Sequence, residues 1–381
     1  GRSLDRASHL STQYPGPILV VSVRIMGLSL AAALQNHFSH DVLKWFPENN
    51  KIRQSTEKID HALRGTINLE VLIDTGKENG FYDPDVLNRL EQATIHTETL
   101  EMDGFFVGKA WSLTSILKEI NKALNENRPE YYAIPQERDL VAQEFLLFEN
   151  SGSDDLEDVV DSQFSKVRFT IKGPFEDAVR YNGLIESVLL YFEETFPDAA
   201  ITLTGMMGLM STTVNHAIVS MAKSYAIALA VITVLMVLLI GKFRIGLLSM
   251  IPNLTPIILV LGVIGVTPFK LDLFTMMVAS IAIGLAVDDT IHFMHNFRRY
   301  YEQSGDPRQA VHETLHSTGR AMLVTTIVLS IGFFIFVFAS MNNLFAFGLL
   351  TAFTIVMALA ADYLVAPALM MVVHRKPAVR K

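Results

Sequence analysis

The chain has 381 residues, 50% of them hydrophobic, and a formal net charge of -8. Its mean hydropathy of +0.32 is too high for an ordinary soluble protein of this size. It has no cysteine and no basic tract, so disulfides and thiolate metal sites are excluded and nucleic acid is not an expected partner.

The chain opens at Gly1 without an initiator Met or a signal-peptide pattern, which reads as a fragment or a processed chain. Within residues 1–36, Gly16–Leu34 (GPILVVSVRIMGLSLAAAL) is long enough to cross a hydrocarbon core of roughly 30 Å and is taken as the first span. Arg24 near its middle costs about 2.5–3.5 kcal/mol on insertion scales unless it snorkels or finds a partner. A signal-like anchor is the alternative.

Residues 37–216 read as a water-facing α/β domain. Thr66–Thr75 alternates with period two as a strand, and Asp83-Pro84 caps and opens a helix reaching Leu100. A strand over Gly104–Ala110 follows. The helix Ser112–Asn125 carries Ile116, Leu117, Ile120 and Leu124 on one face, and another helix spans Pro135–Glu149. The acidic break Ser151–Asp158 (SGSDDLED) precedes strand Lys166–Lys172, helix Phe175–Phe196 and strand Ala200–Thr204. A break near 151–165 thus divides the domain into two subdomains, each a small α/β sandwich.

Residues 217–381 hold five further spans: Ser224–Ile240, Ile245–Val266, Leu271–Phe293, Ala321–Ala339 and Leu344–Val373. Arg2 and Arg6, Lys242 and Arg244, the loop 298–320, and Arg375 through Lys381 put Lys and Arg on one alternating set of ends. That bias predicts cytoplasmic termini and an α/β domain on the outer side. Asp306–Thr318, with Asp306 as cap and Pro307 in the first turn, reads as an amphipathic surface helix or a solvated connector.

The string Gly284-Leu-Ala-Val-Asp288-Asp289-Thr-Ile-His292-Phe293 carries the chemistry. Adjacent carboxylates within a span must face protein or water, and two so close do not both ionise easily in a low dielectric. They are candidates for a proton relay. Gly284, one turn before Asp288, is expected to let a neighbouring helix approach. The alternative is that both carboxylates are solvated at a helix end. His292 is a hydrogen-bonding candidate, and Thr326, Ser330 and Asp362 stand at a comparable depth when helix rise is counted. For Asp362, a structural role beside Pro367 is an equal alternative. Asp288, His292 and His295 share a helix face and could hold a cation, though one helix rarely completes a site. Pro252 and Pro256 mark a hinge or a kink in the second C-terminal span. No nucleotide-binding loop or nucleophile elbow occurs.

One span, an α/β domain and five spans resemble half of a resistance-nodulation-division (RND) transporter. The likeness is strongest to the branch of hydrophobe and lipid exporters that includes the MmpL and hopanoid transporters. The strings that carry it are Lys44-Trp45-Phe46-Pro47-Glu48, Gly284-xxx-Asp288-Asp289 with Ile291-His292-Phe293, and Gly319-Arg320 leading to Thr325-Thr326. Phe347-Gly348 and Ala361-Asp362 with Pro367-Ala368-Leu369 complete them. The resemblance implies ferredoxin-like porter subdomains in the periplasm and a match to the C-terminal half of a twelve-span protein. It also implies the family's proton-relay carboxylate at Asp288. Asp289, where relatives often carry Tyr or Phe, and Arg24 depart from the pattern.

The resulting expectation is a proton-driven exporter in an inner membrane, moving a hydrophobic or amphiphilic molecule. Asp288 and Asp289 form the relay, with His292, Thr325, Thr326 and Asp362 as partners; no cofactor, metal or enzymatic activity is expected. Expected partners are the lipid-like substrate, membrane lipids, an N-terminal half or a second copy, and a periplasmic accessory protein. The alternatives are a sterol-sensing-like lipid receptor and an intramembrane metalloenzyme.

Overall fold

The computed structural model describes residues 2–102, 105–153 and 155–374. Gly104 of the expected strand Gly104–Ala110, Asp154 of the acidic break and the basic tail 375–381 lie outside the described residues. Two compact units emerge, Asp41–His216 and a second made of Gly1–His40 with Ala217–Lys381.

In chain order the second unit begins with α1 (Arg2–Gln13), which the sequence reading did not foresee, and α2 (Pro15–Ala33). The α/β unit then holds α3 (Lys51–Leu63), β1 (Ile67–Asp74), α4 (Pro84–Glu98), and the short strands β2 (Glu101–Met102), β3 (Phe105–Phe106) and β4 (Lys109–Trp111). After them come α5 (Leu113–Leu124), α6 (Arg138–Asn150), β5 (Lys166–Gly173), α7 (Tyr181–Thr195) and β6 (Ala200–Thr204).

The strands β4, β5, β1 and β6 form one antiparallel sheet in that order. This corrects the expectation of two subdomains with a sheet each. Strands from before and after the acidic break pair directly, with Val71 opposite both Phe169 and Leu203. Each half brings only two strands of the sheet, and a two-stranded ribbon is marginal alone, so the halves pool. The order is that of a split β-α-β, ferredoxin-like unit, with α5 and α6 inserted between its halves. Leu69, Val71, Ile73, Val167, Phe169 and Ile171 are fully buried, as period-two alternation requires. Helix α7 closes over them, Phe192 meeting Phe169 edge-on at 4.9 Å.

The helix starts follow the expected chemistry. Asp83 accepts from the Asp85 amide at 3.0 Å, with Pro84 in the first turn. Helix α7 starts at Tyr181 and not at Phe175, because the Tyr181 hydroxyl accepts from the Glu176 amide at 2.6 Å and holds the preceding residues in a turn. Of the apolar face expected on α5, Leu117 and Ile120 are buried but Leu124 is 52% exposed. Leu124 and Ile116 instead line an open cavity of about 740 Å³ with Trp111, Leu147 and Phe148.

Helix α8 (Gly205–Ile240) starts in the α/β unit and belongs to the second unit from Ala217 onward; the rest of that unit comprises α9 (Phe243–Leu248), α10 (Met250–Val266), α11 (Leu273–Ser304), α12 (Pro307–Ser317), α13 (Gly319–Phe334), α14 (Asn342–Ala360), a π-helical turn Ala361–Val365 and α15 (Ala366–Val373). Six segments are long and apolar enough to cross a membrane: Pro15–Ala33, Gly205–Ile240, Phe243–Val266, Leu273–Ser304, Gly319–Phe338 and Asn342–Val373. They match the six expected spans, with longer helices at α8 and α11. The break between α9 and α10 falls at Ser249, as Pro252 has no N–H for the Leu248 carbonyl and its ring crowds that group. Helix α10 continues through Pro256.

Close helix approach occurs where α10 meets α2. A Cβ at Gly262 would lie 2.6 Å from the Ser29 backbone, and one at Gly265 would lie 2.1 Å from the Ala32 carbonyl. Small residues thus do the packing work expected of Gly284, but on another helix pair. Helix α12 buries Ala310, Val311 and Leu315 in a cluster with Met294, Phe297 and Met370. It is therefore packed into the bundle on one face, and no mere solvated connector. Its cap is as expected, Asp306 accepting from the Arg308 amide at 3.0 Å.

Candidate functional site

Helix α11 runs unbroken past the acidic pair to Ser304, where Gly305 (φ +65°) ends it. The two carboxylates are mid-helix, so the helix-end alternative does not apply. At 100° per residue, positions 288, 289 and 290 sweep round the helix. Asp288 is exposed, with its side chain 71% accessible, Asp289 is half-buried, and Thr290 is fully buried.

Thr290 sits at the centre of a polar line through the bundle. Its Oγ1 lies 2.7 Å from Asn253 Oδ1 on α10 and 2.8 Å from Asp362 Oδ1 in the π-helical turn. Asn253 and Asp362 are each 1% exposed. The Asn253 amide nitrogen faces the Ser249 carbonyl, which turns its oxygen toward Thr290. One hydroxyl carries one proton, and an amide oxygen can only accept. Both contacts are therefore satisfied together when Asp362 holds a proton and donates it to Thr290, which donates to Asn253. When Asp362 is ionised, Thr290 donates to it and Asn253 Oδ1 loses its donor. Asp362 Oδ2 has no partner among the described residues.

The π-helical turn gives Asp362 its place. The Ala366 amide bonds to the Ala361 carbonyl, five residues back, and Pro367 has no N–H with which to restore the α pattern. Such single turns widen a helix locally and often occur at functional sites. Next to it, the Tyr363 hydroxyl donates to the Gly319 carbonyl, joining the turn to the start of α13.

A cavity of about 410 Å³ opens beside the line. Asp288, Asp289, His292, Thr325 and Thr326 all contribute to its wall, with Thr318 and Met322. Asp289 is half-buried in that wall, directly before Thr290 on the same helix. His292 Nε2 is 3.7 Å from Asp288 Oδ1, an ion-pair separation longer than a hydrogen bond. Thr325 donates to the Met322 carbonyl at 2.9 Å within its own helix, and Thr326 is buried.

Gly284 departs from expectation. It is exposed, and a Cβ there would meet nothing within 4 Å, so it packs against no helix of this chain. Of the alternative metal trio, His292 and His295 are both exposed on α11. Arg24 is likewise exposed on α2.

Sequence reasoning missed Asn253 and Thr290. A signal existed for each: Asn253 is the one side-chain amide within the spans expected from the sequence, set between two prolines, and Thr290 directly follows the acidic pair. Neither residue type announces a proton path by itself.

Six helices long and apolar enough to span a membrane, with carboxyl groups buried among them, define the class as a polytopic membrane protein. Residues 185–381, half of the chain, match the MMPL family. The chain belongs to the MMPL family, within the RND superfamily. The matched residues include the whole polar line and the cavity beside it. A relative from Methanocaldococcus jannaschii, described as a membrane protein, is 23% identical over 390 residues, covering 98% of this chain and 94% of the relative.

Proposed function

We propose that this chain is a proton-driven exporter, not an enzyme, and that it moves a hydrophobic or amphiphilic molecule out of an inner membrane. The observation that carries the reading is the line Asn253–Thr290–Asp362, whose hydrogen bonds are complete only with a proton on Asp362. Asp288 and Asp289 pass that proton between the cavity and the line. Each loading or unloading changes the donor that Asn253 sees, so it reorders contacts between α10, α11 and the π-helical turn. That is a way to convert proton transfer into helix movement.

The apolar walls of the 740 Å³ cavity in the α/β unit, Trp111, Ile116 and Phe148 among them, support a lipid-like substrate. The exposed Gly284–Asp288 face supports a second bundle against it, because a carboxylate on a membrane helix needs protein or water beside it. Pseudo-symmetric pairs of bundles are common in transporters. The relative aligned over 94% of its own length favours a second copy of the chain as that partner.

The test is transport by the full chain in sealed vesicles loaded with a fluorescent lipid. Imposing a proton gradient should drive export, and an uncoupler should stop it. Export unaffected by the uncoupler would sink the proton-driven reading. Orientation is tested by single cysteines at Ser153 and Ser304 in intact cells: an impermeant reagent should mark Ser153→Cys alone.

A further inference from the structure

Away from the relay, α1 and α12 bring three metal-ligating side chains together. His312 and His316 stand four residues apart on α12, their ring centroids 4.4 Å apart. Asp5, in the first turn of α1, sets its Oδ1 2.8 Å from His316 Nε2. One ligand atom from each of the three lies within 4.8 Å of the others.

The two helices are held from behind. The far side of α12 buries Ala310, Val311 and Leu315, while α1 buries Leu4, Ser8 and Ser11. The ligand side chains therefore rise from fixed backbones and stay accessible, the Asp5 side chain 56% and the His316 side chain 33% exposed. Tetrahedral zinc, with bonds of about 2.0–2.1 Å, needs ligand atoms about 3.3 Å apart. The present separation of up to 4.8 Å exceeds that by about 1.5 Å. Two imidazoles and one carboxylate suit zinc, whereas magnesium and calcium prefer oxygen-only shells. The fourth position is left to water.

We propose that Asp5, His312 and His316 bind one zinc ion, which replaces the proton between Asp5 and His316 and clamps α1 onto α12. Binding is measured on tag-free, chelator-treated full chain in detergent, by calorimetry with zinc chloride and by the thermal midpoint with and without zinc. One zinc per chain at micromolar affinity is expected, with a raised midpoint, and magnesium chloride should do neither. His312→Gln, at an exposed side chain, should weaken binding at least tenfold and leave the zinc-free midpoint unchanged. His9→Gln, elsewhere on α1, should bind as the parent does. Zinc binding absent at 1 mM zinc chloride, or equal in the parent and in His312→Gln, overturns the proposal.

Discussion

The two sides of α11 treat the same chemistry in opposite ways. On the inner side, Thr290 joins Asn253 and Asp362 in a line with almost no exposure. On the other side, Gly284 and Asp288 are exposed, Asp288 in the wall of the 410 Å³ cavity with His292 Nε2 3.7 Å from its carboxylate. Asp289 lies between the two. A buried polar line is specific because every member has few partners to choose from, whereas an open face leaves the choice to whatever covers it. On the proton-driven function proposed above, the storage site is the buried line and the access route is the exposed side.

The largest expected effect is on that storage site. Asp362→Asn keeps the shape and can still donate to Thr290, but it never ionises. Transport in vesicles should fall about a hundredfold or more, the scale of losing a proton-transferring group, with the protein still folded. Asp289→Asn should be nearly as severe, since it cuts the route between cavity and line. Asp288→Asn should cost about tenfold, as a residue of the entrance that water can partly replace. If Asp288→Asn silences transport as fully as Asp362→Asn, the division between inside and outside is broken.

Thr290→Val sharpens the same comparison through stability. It leaves Asn253 Oδ1 and Asp362 Oδ1 buried and unpaired, at about 1–3 kcal/mol for each orphaned group. Thermal unfolding in detergent should show a loss of about 2–6 kcal/mol, with Thr290→Ser close to the parent. An unchanged midpoint in Thr290→Val would mean that the line carries no weight in the fold.

The smallest expected effect tests a buried carboxyl in the other unit. Glu144 is 2% exposed, and burial pushes its pKa from 4.5 up to about 7. The folded state then keeps a proton that the unfolded chain releases above 4.5. Stability contributed by this group is fully present below that pH and is lost as pH rises through about 7, by up to about 2–3 kcal/mol. Hydrogen exchange across 138–150, corrected for intrinsic rate, should show protection falling over that range. Glu144→Gln should flatten the slope, and a slope that persists in this variant assigns it to another group.

The spans were legible because runs of apolar residues and their polar breaks are local signals. So were the caps at Asp83 and Asp306, where one side chain bonds to an amide two residues away. The sheet was less so. Pairing Val71 with both Phe169 and Leu203 links residues far apart in the chain, and each strand–helix unit read alone looks self-sufficient. Within the site, Asp288, Asp289, His292, Thr325 and Thr326 came from the sequence and share a cavity wall. Depth was legible too, since Asp362 is at a comparable height. Rotation about the helix was not: a string of letters does not say that Thr290 points inward and Gly284 outward. The amphipathic α1 was hidden because its buried face, Leu4, Ser8 and Ser11, is mostly hydroxyl.

The wide turn at Ala361–Val365 also sets the phase of the last span. An extra residue in one turn shifts everything after it by about 100° and 1.5 Å relative to an unbroken α-helix. The turn works as a phase splice. Removing one residue from it would swing either the carboxyl or the core packed around α15 out of register. The acid and the packing below it are thus tied to one irregularity in the backbone, and any motion that lets the turn relax toward α geometry would move both at once.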